Sequence, residues 1–333
     1  MTFSRSARRW SRTLPLAAVI FVSVAAAPAA TAQVSGGAFE RTLKVTGPVE
    51  LNIQSGPGGI HVRAGAVGSS VTISGRIRPE NAWFAADVDV RIKQIEKNPP
   101  IEQAGNVIHV GRFSDPNLPK NTSITYDVTV PPKSSVTAKN GSGAIEIFDV
   151  AGPVDASTGS GGITVERIAG FVAATSGSGR IAVSGAGSLR AKTGSGGLHA
   201  MAVAGDVTAS TGSGGIRIDL TGKGTVDVSS SSGGVAIAGV DGAARVSTSS
   251  SSLDIDGRPT GPWNIRSSSG QVTLHIPPDA AFDVEAHVSS GKIETTHPVT
   301  VKGSVDKQWL QGQVRGGGPL VTVHTSSGGI RIQ

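Results

Sequence analysis

From Asn140 onward the chain alternates apolar and polar residues in short bursts. Ile145-x-Ile147, Ile163-x-Val165, Ile181-x-Val183 and Ile216-x-Ile218 form one set. Val154-x-Ala156, Val172-x-Ala174, Leu189-x-Ala191, Val207-x-Ala209 and Val226-x-Val228 form a second. A period of two sends neighbouring side chains to opposite faces, so each triplet predicts a short, half-buried strand. Glycine turns separate the bursts. A Gly-Ser-Gly turn precedes each member of the first set, and Ala151-Gly152, Ala169-Gly170, Ala186-Gly187 and Ala204-Gly205 precede members of the second. Turns at this spacing leave no room for helices within the repeats.

The bursts recur at a fixed interval. The last glycine of each Gly-Ser-Gly core stands at 143, 161, 179, 196, 214 and 233, then Ser251 takes its place, then Gly270; the steps run between 17 and 19 residues. Looser copies begin at Ser55, Val288 and Thr325. A constant period identifies one supersecondary unit used many times. A propeller blade needs about 40 residues. A unit of this length suits one rung of a parallel β-solenoid, in which like residues stack at about 4.8 Å. The serines at 142, 160, 178, 195, 213, 232, 250, 269 and 290 fill one place in the unit. They are expected to hydrogen-bond along the stack, with glycine supplying the corner conformations. The predicted fold is therefore all-β, a parallel β-solenoid of about ten 18-residue rungs with irregular β caps. Alanines at 156, 174, 191 and 209 predict a thin core.

The N-terminal third reads differently. Strand signals occur at Val49-x-Leu51-x-Ile53, Val71-x-Ile73, Val88-x-Val90-x-Ile92 and Ile108-x-Val110, between longer, proline-rich loops. The expected organisation is a signal peptide at 1–32, a β cap with the first irregular rungs at 33–133, and the repeat solenoid at 134–333, continuous with the cap. The stretch from His297 to Gly318 is again irregular and is expected to cap the far end. End-to-end association through exposed terminal edges is a further expectation.

Composition and charge narrow the functional classes. The 333 residues include 46 glycines and no cysteine, which excludes disulfides, cysteine zinc sites and thiol catalysis. The formal charge of +6 is concentrated at the start: Arg5, Arg8, Arg9 and Arg12 lie in residues 1–32, which hold no acid. The rest is close to neutral, so nucleic acid is not an expected partner. An apolar run from Leu14 to Ala30 comes after the arginines, and Ala30-Thr31-Ala32 precedes Gln33. This is the pattern of a signal peptide cleaved between Ala32 and Gln33. Cleavage would leave an exported protein with no stable membrane span.

The serial Ser-Gly-x-Ile-x-Val phrases resemble the bacterial putative-adhesin family, β-strand-repeat proteins that carry a domain of unknown function. The strand Thr125-Tyr126-Asp127-Val128-Thr129-Val130-Pro131 and the closing Gly316 to Ile330 segment carry the same resemblance. It covers nearly all of the chain after the signal peptide. The resemblance implies a right-handed β-helix-like fold, export and no established activity, and it supplies no catalytic motif.

The residues themselves offer little chemistry. An enzyme of this architecture needs carboxylates converging on one wall. The outward residues of successive first strands are Glu146, Thr164, Ala182, His199, Arg217, Ala236, Asp254 and Thr273, and neither strand column concentrates acids. Asp254 and Asp256 are the best carboxylate pair, and Asp227 is expected beside Arg245 across a rung. His61, His109, His199 and His275 alternate with apolar neighbours and point outward, without metal-ligand spacing. The glycine turns lack the Lys-Ser/Thr of a phosphate loop. Trp263 shares the inward register of Ile265, while Trp83-Phe84 and Trp309 fall in the caps, with core packing the expected role of each. No catalytic, metal or cofactor residue is expected, and no cofactor. The reading is an exported, non-enzymatic envelope module, adhesin-like or structural, whose partner would be an envelope or surface glycan or protein. Its rivals are a periplasmic module of envelope sensing or maintenance and a carbohydrate-active β-helix enzyme.

Overall fold

The computed structural model describes Thr2 and residues 36–65, 68–80, 85–301 and 306–333. Contacts divide the chain into two compact units, Met1–Gln33 and Val34–Gln333, and the described strands and helix all belong to the second. The cleavage junction expected at Ala32 and Gln33, and the Trp83-Phe84 pair, lie outside the described residues.

The alternating triplets form two columns of parallel strands. In one column Ser135–Asn140 pairs with Val154–Thr158, and the stack continues through Val207–Thr211, Val226–Ser230 and Ala244–Thr248 to Trp263–Ser269. In the other, Ile145–Phe148 leads through Ile163–Ser176, Ile181–Thr193, Leu198–Val203, Ile216–Leu220, Val235–Asp241 and Leu253–Arg258 to Val272–His275. The triplets stack in register, so Val154 lies over Val172 and Ile163 over Ile181, with bulges only past the triplets, between Ile168 and Phe171, Ala200 and Val203, and Ile237 and Val240. Inward positions of both columns are buried and interleave as one continuous core, with the alanines at 156, 174, 191 and 209 keeping it thin. This is a parallel β-solenoid.

The turns show why glycine recurs. A Cβ at Gly179 would lie 1.8 Å from the carbonyl oxygen of Gly161, and one at Gly196 would lie 2.0 Å from that of Gly179. Each turn thus rests directly on the backbone of the turn below. The hydroxyl ladder, however, is not the expected serine column, which faces solvent. It is the buried residue two positions earlier. Thr158, Ser176, Thr193 and Thr211 each donate to a glycine carbonyl of the preceding rung, and each accepts from the glycine N–H three residues on. These side chains end their strands pointing inward, which explains their burial. Each supplies a partner to a turn N–H and a turn carbonyl that would otherwise be orphaned. The ladder changes at Ser230, which bonds only within its own turn. Beyond it the hydroxyls of Thr248, Ser251, Ser267 and Thr325 are buried without a partner. The change falls next to Ser251, where the sequence replaces the turn glycine.

Two expectations fail at the ends. First, Val88, Val90 and Ile92 lie in a helix, Ala85–Lys97, not a strand. Val88, Ile92 and Ile95 are buried while Val90 is 65% exposed, so the period is that of a helix. Its Glu96 accepts from the Ala38 N–H, and Asn98-Pro99-Pro100 stops it. Second, the rungs do not stack in chain order. Glu50–Ser55 and Ile60–Ala64 insert between Ser135–Phe148 on one side and Val107–Val110 with Thr122–Val130 on the other. At the far end Leu320–Ser327 and Ile330–Ile332 insert between the Trp263 rung and Phe282–Ser290 with Ile293–Thr295. The Thr325 repeat is therefore an interior rung. Antiparallel strands cover both ends: Ser70–Pro79 and Gly37–Lys44 at one, Trp309–Val314 and Val299–Val301 at the other. They cover most of the terminal edges expected to be open.

Candidate binding surfaces

Outward side chains of one column follow the register His61, Glu146, Thr164, Ala182, His199, Arg217, Ala236, Asp254, Thr273. Within this column the first half of the Val235–Asp241 rung presents only the small outward residues Ala236 and Ala238, before its bulge and Asp241. Its neighbours are charged. Arg217 and Asp219 flank it on one side, with Nε 3.8 Å from the carboxylate, and Asp254 and Asp256 flank it on the other. The two walls stand two strand spacings apart, about 9–10 Å. The result is a notch with an alanine floor. Two adjoining hollows of about 350 and 180 Å³ share Arg217, Ala236 and Asp254, and the larger extends to His199 and Ser252.

Two of the notch's carboxylates, Asp219 and Asp254, have partners. Asp254 lies 3.2 Å from Nε2 of His275, whose Nδ1 lies 3.1 Å from the Gln333 amide. Donors and acceptors thus alternate around the floor, an arrangement suited to hydrogen-bonding a polar ligand. Among the described residues no three histidine or acidic groups converge to hold a metal ion.

The other expected residues are dispersed. Asp227 and Arg245 are in register on adjacent rungs, both exposed. His61 meets Glu146 at 3.0 Å, and His109 is half-buried with Nδ1 unpartnered. Trp263 is 1% exposed and donates to the Gly242 carbonyl at 3.0 Å. Trp309 is not core: it is 40% exposed and its ring lies 5.2 Å from that of His287. His287 in turn stacks on His324 with Nδ1 atoms 3.1 Å apart. The sequence holds no hint of this cluster. The two histidines are 37 positions apart, and only the inserted C-terminal rung brings them together.

A second, larger cavity of about 640 Å³ lies at the N-terminal end, between the loop at 111–121 and the turn at 54–57. Phe113, Pro116, Pro119 and Ile124 supply apolar wall, with Lys120 and Lys139. Tyr126 also borders it, its hydroxyl buried and without a partner among the described residues. Burial holds the phenol far above its ordinary pKa, so it remains a neutral donor.

Stacked rungs, polar outward columns and an alanine-floored notch define a β-solenoid scaffold that presents surface recesses. The chain belongs to the Toastrack DUF4097 family, whose model matches residues 102–333. Comparison with curated proteins gives no match. Two solved structures are similar: a putative cell adhesion protein from Clostridium sporogenes ATCC 15579, at 10% identity over 89% of this chain and 98% of that one, with a TM-score of 0.23; and a putative adhesin from Bacteroides fragilis NCTC 9343, at 11% identity over 90% and 99%, with a TM-score of 0.30.

Proposed function

We propose that the protein is an exported, non-enzymatic binding module of the cell envelope. Its ligand is a polyhydroxylated one, a surface or envelope glycan, and it is held at the notch. The observation that carries this reading is the alanine floor at Ala236 and Ala238 between Arg217 with Asp219 and Asp254 with Asp256. Carboxylates accept from hydroxyls, and a guanidinium donates to ring and hydroxyl oxygens. The walls are fixed on strands, so no loop need be ordered on binding. The dispersal of the other acids and the pairing of Asp254 with His275 support a binding role over a hydrolytic one. Export is supported by the signal-peptide pattern. Among the described residues no helix is long and apolar enough to cross a membrane.

The test is a glycan array probed with the purified chain and with Arg217→Gln and Asp254→Asn. Binding to a defined glycan subset that both variants lose supports the reading. Absence of glycan binding, or hits unchanged in both variants, overturns it. Protease treatment of intact cells carrying the tagged protein tests location separately. Cleavage on intact cells or release into the medium indicates surface display. Protection until the outer membrane is opened places the module in the periplasm, and a cytoplasmic pool alone overturns export.

A further inference from the structure

The cavity at the N-terminal end has a structural origin. In the regular rungs a short glycine turn joins the two columns and rests on the turn below, as Gly161 does on Gly143. The rung formed by Val107–Val110 and Thr122–Val130 has no such turn. The longer loop at 111–121 joins them and stands off the Ser55–Gly58 turn. Hydrogen bonds hold it there. The Gln54 amide donates to the Gly111 carbonyl at 3.1 Å, and Arg91 of the helix donates to the Lys120 carbonyl at 2.9 Å. The space opens to solvent, and its volume of about 640 Å³ falls within the roughly 300–1,000 Å³ that ligand pockets typically span.

Its lining has a clear chemical sense. Phe113, Pro119 and Ile124 offer an apolar wall, and Lys120 and Lys139 are the charged residues that line it, with no acid among the lining residues. Both lysines are exposed, so their ammonium groups are available at the rim.

We propose that this cavity binds a single-chain amphiphilic carboxylate of the fatty-acid type, its head group between Lys120 and Lys139 and its hydrocarbon against Phe113 and Ile124. Two cations in a lining that holds no acid select an anion, and the apolar wall selects a chain over a simple ion. The site is separate from the notch, and neither proposal depends on the other.

The experiment is titration calorimetry on the full chain with monomeric dodecanoate, dodecyltrimethylammonium and acetate. Saturable one-to-one binding of dodecanoate is expected, with at least tenfold weaker binding of the other two. Lys120→Gln/Lys139→Gln is expected to weaken dodecanoate at least tenfold while leaving the melting temperature unchanged, since both side chains are exposed. Absence of saturable binding overturns the proposal, as does equal affinity for dodecanoate and the cationic detergent. Dodecanoate affinity undiminished in the double variant, or acetate binding as tightly as dodecanoate, does the same. Tighter association with phosphatidylglycerol vesicles than with the monomer would replace the cavity with a membrane surface.

Discussion

The guanidinium of Arg167 forks onto the carboxylate of Asp149 one rung away, Nε to Oδ1 at 2.6 Å and Nη2 to Oδ2 at 3.0 Å, and both residues hold left-handed backbone. The hydrogen bond and charge of Arg167 hold the Asp149 carboxyl below the usual carboxylate range. Arg258 does the same for Asp279, and Lys292 with Arg331 for Glu294. A carboxyl lowered in the folded state stabilises it above the unfolded pKa, and this contribution is lost as pH falls through the folded value. All three pairs are solvent-exposed, so each contributes little and chiefly at low ionic strength. In Arg167→Gln, the Asp149 titration followed by carboxyl-carbon NMR should move up toward the ordinary range while Glu294 stays where it is. An Asp149 titration that does not move would show that Arg167 is not the cause.

Asp149 and Arg167 share their corner position with Gly185, Ala202 and Gly239, all at positive φ. Left-handed backbone costs an alanine roughly 1–2 kcal/mol, which glycine avoids, offset in part by about 0.4–1 kcal/mol of unfolded-state entropy. Ala202→Gly is therefore expected to stabilise the chain by about 0.5 kcal/mol in urea unfolding. Ala182→Gly, in a strand paired on both sides, should instead destabilise it. Equal losses at the two positions would contradict the corner geometry.

The buried hydroxyl ladder separates two kinds of threonine. Thr193 bonds the Gly179 carbonyl and the Gly196 N–H, both at 3.1 Å. Thr193→Val leaves two turn groups unpaired and should cost about 1–3 kcal/mol. Thr248 occupies the same column but its hydroxyl has no partner, so Thr248→Val should be neutral or stabilising. Gly196→Ala should cost more than either, about 3 kcal/mol, because its methyl group would meet backbone that cannot move without disturbing the next turn. Denaturant midpoints of the three variants, read against one slope, decide the order.

The repeat was legible because both its signals are local. Alternating triplets mark strands, and a glycine that rests on the turn below recurs wherever the chain turns. The ladder was misplaced by two residues for a physical reason. Ser160 and Thr158 both recur every rung, and only the strand register shows that Thr158 points inward. Val88-x-Val90-x-Ile92 is consistent with a strand over five residues; Ile95 is needed to reveal the helical face. The notch was half legible. Asp254 and Asp256 stood out as a pair, but Arg217 and the alanine floor join them only through stacking. The Lys120, Lys139 and Tyr126 cavity was not legible, since a long loop does not announce the space beneath it.

The order of the rungs was beyond the sequence for a deeper reason. Repeated strands present nearly identical edges, so local patterning cannot decide which rung pairs with which. The structure places Thr322 beside both Asn264 and Glu285, with the C-terminal rung between two that are closer in sequence. A stack in chain order would instead place Asn264 beside Glu285. The absence of cysteine makes the choice directly measurable. A disulfide needs Cα atoms about 4.4–6.8 Å apart, which adjacent strands provide and alternate strands, about 9–10 Å apart, do not. Asn264→Cys/Thr322→Cys and Glu285→Cys/Thr322→Cys should both oxidise to intramolecular cross-links, seen as faster migration on non-reducing gels. Asn264→Cys/Glu285→Cys should remain reduced. Ready cross-linking of that third pair, with failure of the first two, would restore a sequential stack and make the Thr325 repeat a terminal rung.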